Sequence, residues 1–234
     1  MNRSRAELPE AVRELPAQAR EELAELVAML TSERGAPSAV REPADAWRVH
    51  VADSLSGLEF GELAAAKRIA DVGAGAGLPG LVLAVALPGA RVDLIESLAG
   101  KCEFIRRAAE RVAIGNAGVI CDRSETWAGG EGREAYDAVT ARAVGRLATL
   151  AELASPLLRD GGVLVGWKGR RDPEEEAELA RAAERLAMEP VEVRWVGPYA
   201  GSRNRHLHLI RKLGPTPDEI PRRAGVAKRR PMGG

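Results

Sequence analysis

The sequence predicts an α/β fold in which a doubly wound, mostly parallel sheet of seven strands follows an N-terminal helical extension. Two patterns lead to this prediction. Short apolar strands alternate with helical segments from residue 67 onward, which is typical of such sheets. A glycine-rich turn joins the first of these strands to the helix that follows it. The composition of the 234 residues, 45% hydrophobic and 29% charged, excludes a wholly disordered chain.

Residues 1–66 are predicted to form the helical extension. Apolar residues recur every three or four positions from about residue 7 to 30, and Pro16 is expected to divide this stretch into two helices. A loop is predicted over 31–43, which contains a glycine and two prolines. One or two short helices are expected over 45–63.

The sheet is predicted to occupy residues 67–213. Its strands are Arg68–Val72, Arg91–Glu96, Gly118–Cys121, Tyr136–Ala141, Val163–Trp167, Val191–Val196 and His206–Arg211. The intervening helices are Leu78–Leu87, Lys101–Ala113, Leu147–Leu158 and Pro173–Ala187. Because ligands bind beyond the carboxyl ends of the strands in this fold class, residues that directly follow strands are site candidates.

The strongest indication of a ligand site is the segment DVGAGAGLPG at 71–80. Its closely spaced glycines let the backbone turn sharply and approach a ligand, although the pattern alone also fits a dinucleotide-binding loop or a tight packing turn. Asp71 can pair with an ammonium group or another hydrogen-bond donor and would repel a pyrophosphate. Glu96, at the end of the second strand, can accept hydrogen bonds from both ribose hydroxyls. The two carboxylates together favour S-adenosylmethionine over a nicotinamide cofactor.

Further site candidates follow the third strand. Residues 122–125 are expected at the height of an adenine. For Arg123 and Glu125 the alternative is a surface ion pair.

Cysteine and histidine placement argues against a metal site. Cys102 and Cys121 have neither metal-ligand spacing nor the pattern of a disulfide framework. The three histidines are too scattered for zinc. We expect neither a signal peptide nor a membrane span, and therefore a reduced cytoplasmic setting.

The neutral total charge hides a segregation of charges. Lysine plus arginine and aspartate plus glutamate number 34 each, but residues 201–234 contain nine basic and two acidic residues, a net +7 against −7 on the other 200. A basic segment on an acidic body is typical of a polyanion-binding arm, and the alternative is a solvated, disordered tail.

Several motifs in combination resemble one family. They are REPADAWRVHVADSL, DVGAGAGLPG, LIESLAGKCEFI, CDRSE, YDAVTARAV, GGVLVGWKG, RHLHLIRK and PTPDEIPRRAGVAKRRPM. The chain from about Arg41 onward resembles the bacterial 16S ribosomal RNA (guanine-N7) methyltransferase G family, also called glucose-inhibited division protein B.

The resemblance implies a class I methyltransferase domain at 67–213 and a basic C-terminal tail at 214–234. It implies methyl transfer from S-adenosylmethionine to N7 of a guanine in 16S ribosomal RNA, with free RNA or a small-subunit assembly particle as partner. By motif, cofactor contacts are expected at Gly73, Leu78, Ser124, Glu125 and Arg142, with Asp71, Gly75, Gly77 and Glu96 nearby. A cytoplasmic monomer is expected.

Arg142 and Lys168 are the candidate catalytic residues, because each lies just past a strand end and a cation there can donate to guanine O6. The alternative for Lys168 is a solvated lysine, and for His50 and Asp53 helix packing. The RNA-binding candidates are His50, Asp53, Arg123, Lys168, Arg205, His206, Arg222 and Arg223. The alternative functions are methylation of a small molecule and non-catalytic RNA binding during ribosome assembly.

Overall fold

The computed structural model describes residues 8–234; residues 1–7, at the start of the predicted helical extension, lie outside the described part. Within 8–67 the α-helices are α1 (Glu10–Arg13), α2 (Ala17–Ser32), α3 (Pro43–Ala46), α4 (Asp53–Leu55) and α5 (Gly61–Ala65). Pro16 caps the N-terminus of α2, which confirms the predicted division at this proline. A π-helical turn over Trp47–Ala52 joins α3 to α4, and a 3-10 turn over Ser56–Glu59 leads towards α5.

A seven-stranded sheet forms the centre of the described chain and confirms the predicted fold class. Its strands are β1 (Arg68–Val72), β2 (Arg91–Ile95), β3 (Ala117–Ile120), β4 (Tyr136–Arg142), β5 (Leu158–Lys168), β6 (Met188–Trp195) and β7 (His206–Lys212). The order is β3-β2-β1-β4-β5-β7-β6. Strands β1 to β5 run parallel, while β7 is antiparallel to both β5 and β6.

The register brings the carboxyl ends of the first four strands to one edge. Val72 of β1 is aligned with Ile95 of β2 and with Ala141 of β4, and Ile95 is aligned with Ile120 of β3. The glycine-rich turn, the segments after β2 and β3, and the end of β4 are therefore neighbours in space.

Helices cover both faces of the sheet. They are α6 (Gly80–Ala86), α7 (Ala99–Val112), α8 (Ser124–Ala128), α9 (Leu147–Ala154), α10 (Pro173–Ala183) and α11 (Val226–Arg229). Alternate strand residues enter two apolar clusters, as the period of a β-strand requires. Ile69 packs with α2, α6 and α7 on one face, and Ala70 packs with α9, α10 and α11 on the other.

Some predicted boundaries differ from the structure. The helix predicted over Leu147–Leu158 ends at Ala154, because Pro156 cannot continue a helix, and β5 begins already at Leu158. The predicted helix at Leu78 begins at Gly80, after Pro79. The short helices α8 and α11 were not predicted.

The prediction that the cysteines form no disulfide is wrong. Cys102 in α7 and Cys121 after β3 form a disulfide bond, with their Cα atoms 5.8 Å apart. Since α7 connects the adjacent strands β2 and β3, its first turn lies over the end of β3. A spacing of 19 residues does not reveal this approach.

No helix in residues 8–234 is long and apolar enough to cross a membrane. The same residues contain no cluster of three or more histidine, cysteine, aspartate or glutamate side chains arranged to hold a metal ion.

Candidate functional site

The glycine-rich turn between β1 and α6 has a backbone that only glycine adopts easily. Gly73, Gly75 and Gly77 have φ angles of 68°, 61° and 86°, in the left-handed region. A Cβ atom on Gly73 would lie 2.8 Å from Val144 Cγ2, and one on Gly77 would lie 2.5 Å from Leu81 Cδ1. The turn therefore requires glycine for its conformation and for close packing.

Asp71 supports this turn from beneath. Its side chain is fully buried, and its carboxylate accepts hydrogen bonds from the Gly80 N–H and the Thr140 hydroxyl, both at 2.9 Å. Burial raises the pKa of Asp71 to about 6. Because the carboxylate is sealed inside the protein, it meets donors of the chain itself, and we assign Asp71 a positioning role instead of the expected cofactor contact.

Glu96 is held by backbone amides. Its Oε2 accepts from the Gly75 N–H at 3.0 Å, and its Oε1 accepts from the N–H groups of Ser97 and Leu98 at 2.7 and 2.9 Å. A carboxylate has about four acceptor positions and three are used, so Glu96 retains capacity for one ribose hydroxyl.

A cavity of about 140 Å³ lies beyond the carboxyl ends of β1, β2 and β4; we call it the glycine-loop cavity. Its lining residues are Val72, Gly73, Ile95, Glu96, Ser97, Asp122, Arg123, Ser124, Glu125, Val144, Thr149, Leu153, Gly225 and Lys228. The predicted cofactor contacts Gly73, Glu96, Ser124 and Glu125 thus share one cavity. Gly75, Gly77 and Leu78 lie in the turn beside it and are not among its lining residues.

The chemistry of the glycine-loop cavity fits S-adenosylmethionine. Three carboxylates, those of Glu96, Asp122 and Glu125, outnumber the cations of Arg123 and Lys228. A surplus of carboxylates disfavours a pyrophosphate and suits a cationic sulfonium compound that carries a ribose.

A second cavity, of about 230 Å³, lies on the other side of the segment that follows β4; we call it the Asp53 cavity. Its lining residues are Asp53, Arg142, Ala143, Gly145, Trp167, Lys168, Gly169, Val196, Arg205, His206 and Leu207. Asp53 directly follows the π-helical turn, a form of helix that is frequent at functional sites.

Asp53 is the centre of a charged group in this cavity. Its Oδ2 accepts from Arg142 Nη1 at 2.9 Å, and its Oδ1 lies 3.5 Å from Arg205 Nε. Both Asp53 Oδ1 and Arg205 Nε are buried and have no hydrogen-bond partner among the described residues. The Trp167 indole N–H donates to the Asp53 main-chain oxygen at 2.7 Å and fixes the backbone. Asp53 Oδ1 and Arg205 Nε face each other as an ion pair, so Asp53 lies between the guanidinium groups of Arg142 and Arg205.

Lys168 and His206 line the Asp53 cavity as well. Lys168 Nζ donates to Glu175 Oε1 at 2.6 Å and to the Gly145 main-chain oxygen at 2.9 Å. His206 Nδ1 donates to the Gly169 main-chain oxygen at 2.8 Å. Since Lys168 is already paired, it holds the segment after β4 in place.

The remaining candidates lie elsewhere. His50 does not line the Asp53 cavity: its Nε2 lies 2.9 Å from the Ser38 hydroxyl, and burial together with the nearby Arg142 lowers its pKa. Arg123 lines the glycine-loop cavity. Arg222 is paired with Glu152, which corrects the expectation of a free basic arm at this residue, while Arg223 is exposed.

Sequence reasoning missed three residues at these cavities. Trp167 was assigned only to a strand, and its hydrogen bond to Asp53 spans 114 positions. Gly225 and Lys228 belong to the segment predicted to be an arm. Nothing in the sequence near them indicates the cavity they line.

The segment Arg142–Gly145 separates the two cavities. Val144 faces the glycine-loop cavity, whereas Arg142, Ala143 and Gly145 line the Asp53 cavity. Ala143 has a φ of 58°, a conformation that costs a residue with a side chain about 1 kcal/mol or more. The two cavities therefore meet at this one short backbone segment.

The sheet, the glycine-rich turn and the carboxylate-lined cavity together define a class I S-adenosylmethionine-dependent methyltransferase. Solved structures agree with this fold. A SAM-dependent methyltransferase from Aquifex aeolicus has a TM-score of 0.53 at 18% identity, covering 71% of this chain and 93% of that one. The fibrillarin pre-rRNA processing protein of Methanococcus jannaschii has a TM-score of 0.54 at 18% identity, covering 70% and 74%.

The chain belongs to the GidB family, rRNA small subunit methyltransferase G, whose model matches residues 19–207. Ribosomal RNA small subunit methyltransferase G of Rubrobacter xylanophilus is 42% identical over 199 residues, 83% of this chain and 76% of that protein. The Deinococcus radiodurans protein of the same name is 38% identical over 216 residues, 91% of this chain and 85% of the relative. These relatives confirm the family resemblance found in the sequence.

Proposed function

We propose that this protein transfers a methyl group from S-adenosylmethionine to N7 of a guanine in 16S ribosomal RNA. The names of the relatives support ribosomal RNA of the small subunit as substrate and do not favour a small molecule. The observation that carries the guanine assignment is the Asp53 cavity, in which the Asp53 carboxylate lies between the guanidinium groups of Arg142 and Arg205.

The reaction makes few chemical demands on the protein. The cofactor supplies an electrophilic methyl group on its sulfonium sulfur. Guanine N7 has a free lone pair, so it attacks without prior loss of a proton and no general base is required. The protein contributes alignment of the two reactants, which can lower the activation barrier by roughly 7–11 kcal/mol.

The two cavities divide this alignment between them. The glycine-loop cavity holds the cofactor, with Gly73 allowing close approach and Glu96 accepting from the ribose. Ser124 and Glu125 contribute the opposite wall. The Asp53 cavity holds the guanine, and its N7 must reach the sulfonium methyl directly at the edge of Arg142–Gly145, at the roughly 3–3.5 Å that in-line transfer requires.

Asp53 supplies a means of distinguishing guanine from adenine. A carboxylate accepts hydrogen bonds from the N1–H and the 2-amino group of guanine, whereas adenine presents an acceptor at N1 and no amino group at C2. Arg142 and Arg205, which flank Asp53, can donate to O6 and leave N7 free. His206 and the exposed Arg223 are then contacts for the RNA backbone.

Several further features belong to this proposal. We propose three parts, with helices in 1–66, the methyltransferase sheet in 67–213 and a basic segment in 214–234. The protein acts as a monomer in the cytoplasm, on free RNA or on an assembly particle. Light scattering of the purified protein tests the oligomeric state.

The deciding experiment is methylation of naked and assembled small-subunit ribosomal RNA with labelled cofactor, followed by mapping of the product base. We expect a single N7-methylguanine. A labelled base of another kind would refute the guanine assignment and keep the methyltransferase class. Tight RNA binding without label transfer would instead support a non-catalytic assembly factor.

A further inference from the structure

The C-terminal segment 214–234 is packed against the methyltransferase sheet. Ile220, Ala227 and Met232 are buried, at 1%, 2% and 4% exposure, and they join the apolar cluster that covers β1 and β4. Such burial does not fit a free arm or a disordered tail.

An ion pair fixes this segment to α9. Arg222 Nε and Nη2 donate to the two carboxylate oxygens of Glu152, each at 2.6 Å, and the Glu152 side chain is only 2% exposed. Arg222 Nη2 also donates to the main-chain oxygen of Arg230 at 2.7 Å. Two ends of the segment are thereby held by one guanidinium group, in the bidentate geometry that gives such pairs their specificity.

Two more hydrogen bonds attach the segment to the wall of the glycine-loop cavity. The Gly225 N–H donates to Glu125 Oε1 at 2.6 Å, and the Thr149 hydroxyl donates to the Ala227 main-chain oxygen at 3.3 Å. Glu125 and Thr149 both line that cavity, and so do Gly225 and Lys228 themselves. The segment thus supplies two lining residues of the cavity and is hydrogen-bonded to two others.

We propose that residues 220–228 form a wall of the cofactor site, and that Arg222 is the positioning residue that holds this wall in place. The inference rests on the assignment of the glycine-loop cavity to the cofactor. Gly225 fixes the Glu125 carboxylate, and Lys228 brings a cation to a cavity that has three carboxylates. Arg222 touches neither ligand and acts through the segment it anchors.

Cofactor affinity tests the proposal. Calorimetry with S-adenosylmethionine is performed on the full chain, on Arg222→Met and on Arg229→Met. Arg229 lies in the same segment, is exposed and forms no ion pair with the described residues, so it is a matched control. We expect Arg222→Met to weaken cofactor binding by about tenfold, Arg222→Lys to recover part of the loss, and Arg229→Met to stay within about twofold of wild type.

A second measurement uses the wild-type chain and remains decisive if Arg222→Met fails to fold. Hydrogen exchange is followed with and without S-adenosylmethionine. The cofactor is expected to slow exchange at the amides of residues 225–228, because Gly225 and Lys228 line the cavity that it fills. If exchange in this segment is equally fast with and without bound cofactor, the proposal is overturned.

The outcomes separate this proposal from the assignment on which it rests. Wild type that does not bind S-adenosylmethionine would refute the cofactor site itself. Binding by wild type with unchanged affinity in Arg222→Met would refute only the wall. Tighter binding by Arg222→Met would show that the segment blocks the cavity. If Arg222→Met loses affinity for RNA but keeps its affinity for the cofactor, the result would support the earlier hypothesis that residues 214–234 form a basic arm that binds RNA.

Discussion

Arg142 Nη1 donates to Asp53 Oδ2 at 2.9 Å, although the two residues lie 89 positions apart in the sequence. The contact joins the end of β4 to the beginning of α4, and the side chains are only 17% and 7% exposed. The N-terminal helices therefore contribute a charged group to the site at the edge of the sheet.

Asp53→Asn is expected to slow methyl transfer by about tenfold or more, because a hydrogen bond to a charged group is worth roughly 1.5–3 kcal/mol. Cofactor affinity should stay unchanged, since Asp53 lines only the other cavity. Single-turnover rates and calorimetry check both statements. Asp45→Asn, at an exposed acid of α3, is the control. Weakened cofactor binding with a normal rate would contradict the division between cavities.

Replacement of the target guanine by inosine, which lacks the 2-amino group, tests what Asp53 recognises. Wild type should methylate the inosine RNA about tenfold more slowly, because one hydrogen bond to the carboxylate is lost. Asp53→Asn should be nearly indifferent to the same change. Equal effects in both enzymes would assign recognition of the base to another group.

Gly77→Ala is expected to abolish measurable cofactor binding. The new methyl group would lie 2.5 Å from Leu81 Cδ1, and the backbone φ of 86° is strained for alanine. Gly100→Ala is the control: it lies in the first turn of α7 with open space around it and should leave cofactor binding unchanged and stabilise the protein by less than about 1 kcal/mol. Retained binding in Gly77→Ala would show that the turn tolerates a different path.

The stability of the protein should depend on His208 below pH 6.5. Burial lowers the pKa of His208 to about 4, aided by Lys168 and Arg171 and opposed by Glu176 and Glu175. Between pH 6.5 and 4 the unfolded chain takes up a proton that the folded protein does not, so stability falls as pH falls, by at most about 3 kcal/mol.

Comparison of wild type with His208→Leu isolates this effect. Asp71 acts in the opposite direction, because its pKa is raised to about 6 and the folded state is protonated first as pH falls towards the usual value near 3.8. Urea titrations at several pH values should show a shallower loss of stability in the variant. Parallel curves would mean that His208 has the same pKa in the folded and the unfolded state.

Reduction of the disulfide between Cys102 and Cys121 should destabilise the protein by about 3 kcal/mol, the effect expected for a loop of this length. Thermal unfolding with and without a reducing agent measures the difference. The double variant Cys102→Ala/Cys121→Ala should show no response to the reductant. If the unfolding midpoint of the wild-type protein is also unchanged by the reducing agent, the two cysteines are free thiols.

The sequence predicted most of the sheet because each strand is a short apolar run bounded by turn residues. It failed where partners are remote. Arg222 was assigned to an RNA-binding arm, because no nearby residue indicates its ion pair with Glu152, which lies 70 positions earlier. Pro156, in contrast, was a readable signal that α9 could not extend to Leu158. The Asp53 and Arg142 side chains were both selected, but only the fold brings them into contact.

The Arg142–Gly145 segment has a consequence for how this enzyme can change. The two cavities meet at this segment, where Val144 lines the glycine-loop cavity and Ala143 lines the Asp53 cavity. On the proposed assignment, side chains around Asp53 can change to accept a different base while the glycine-loop cavity keeps its shape. Base selection and cofactor binding would then depend on different sets of residues.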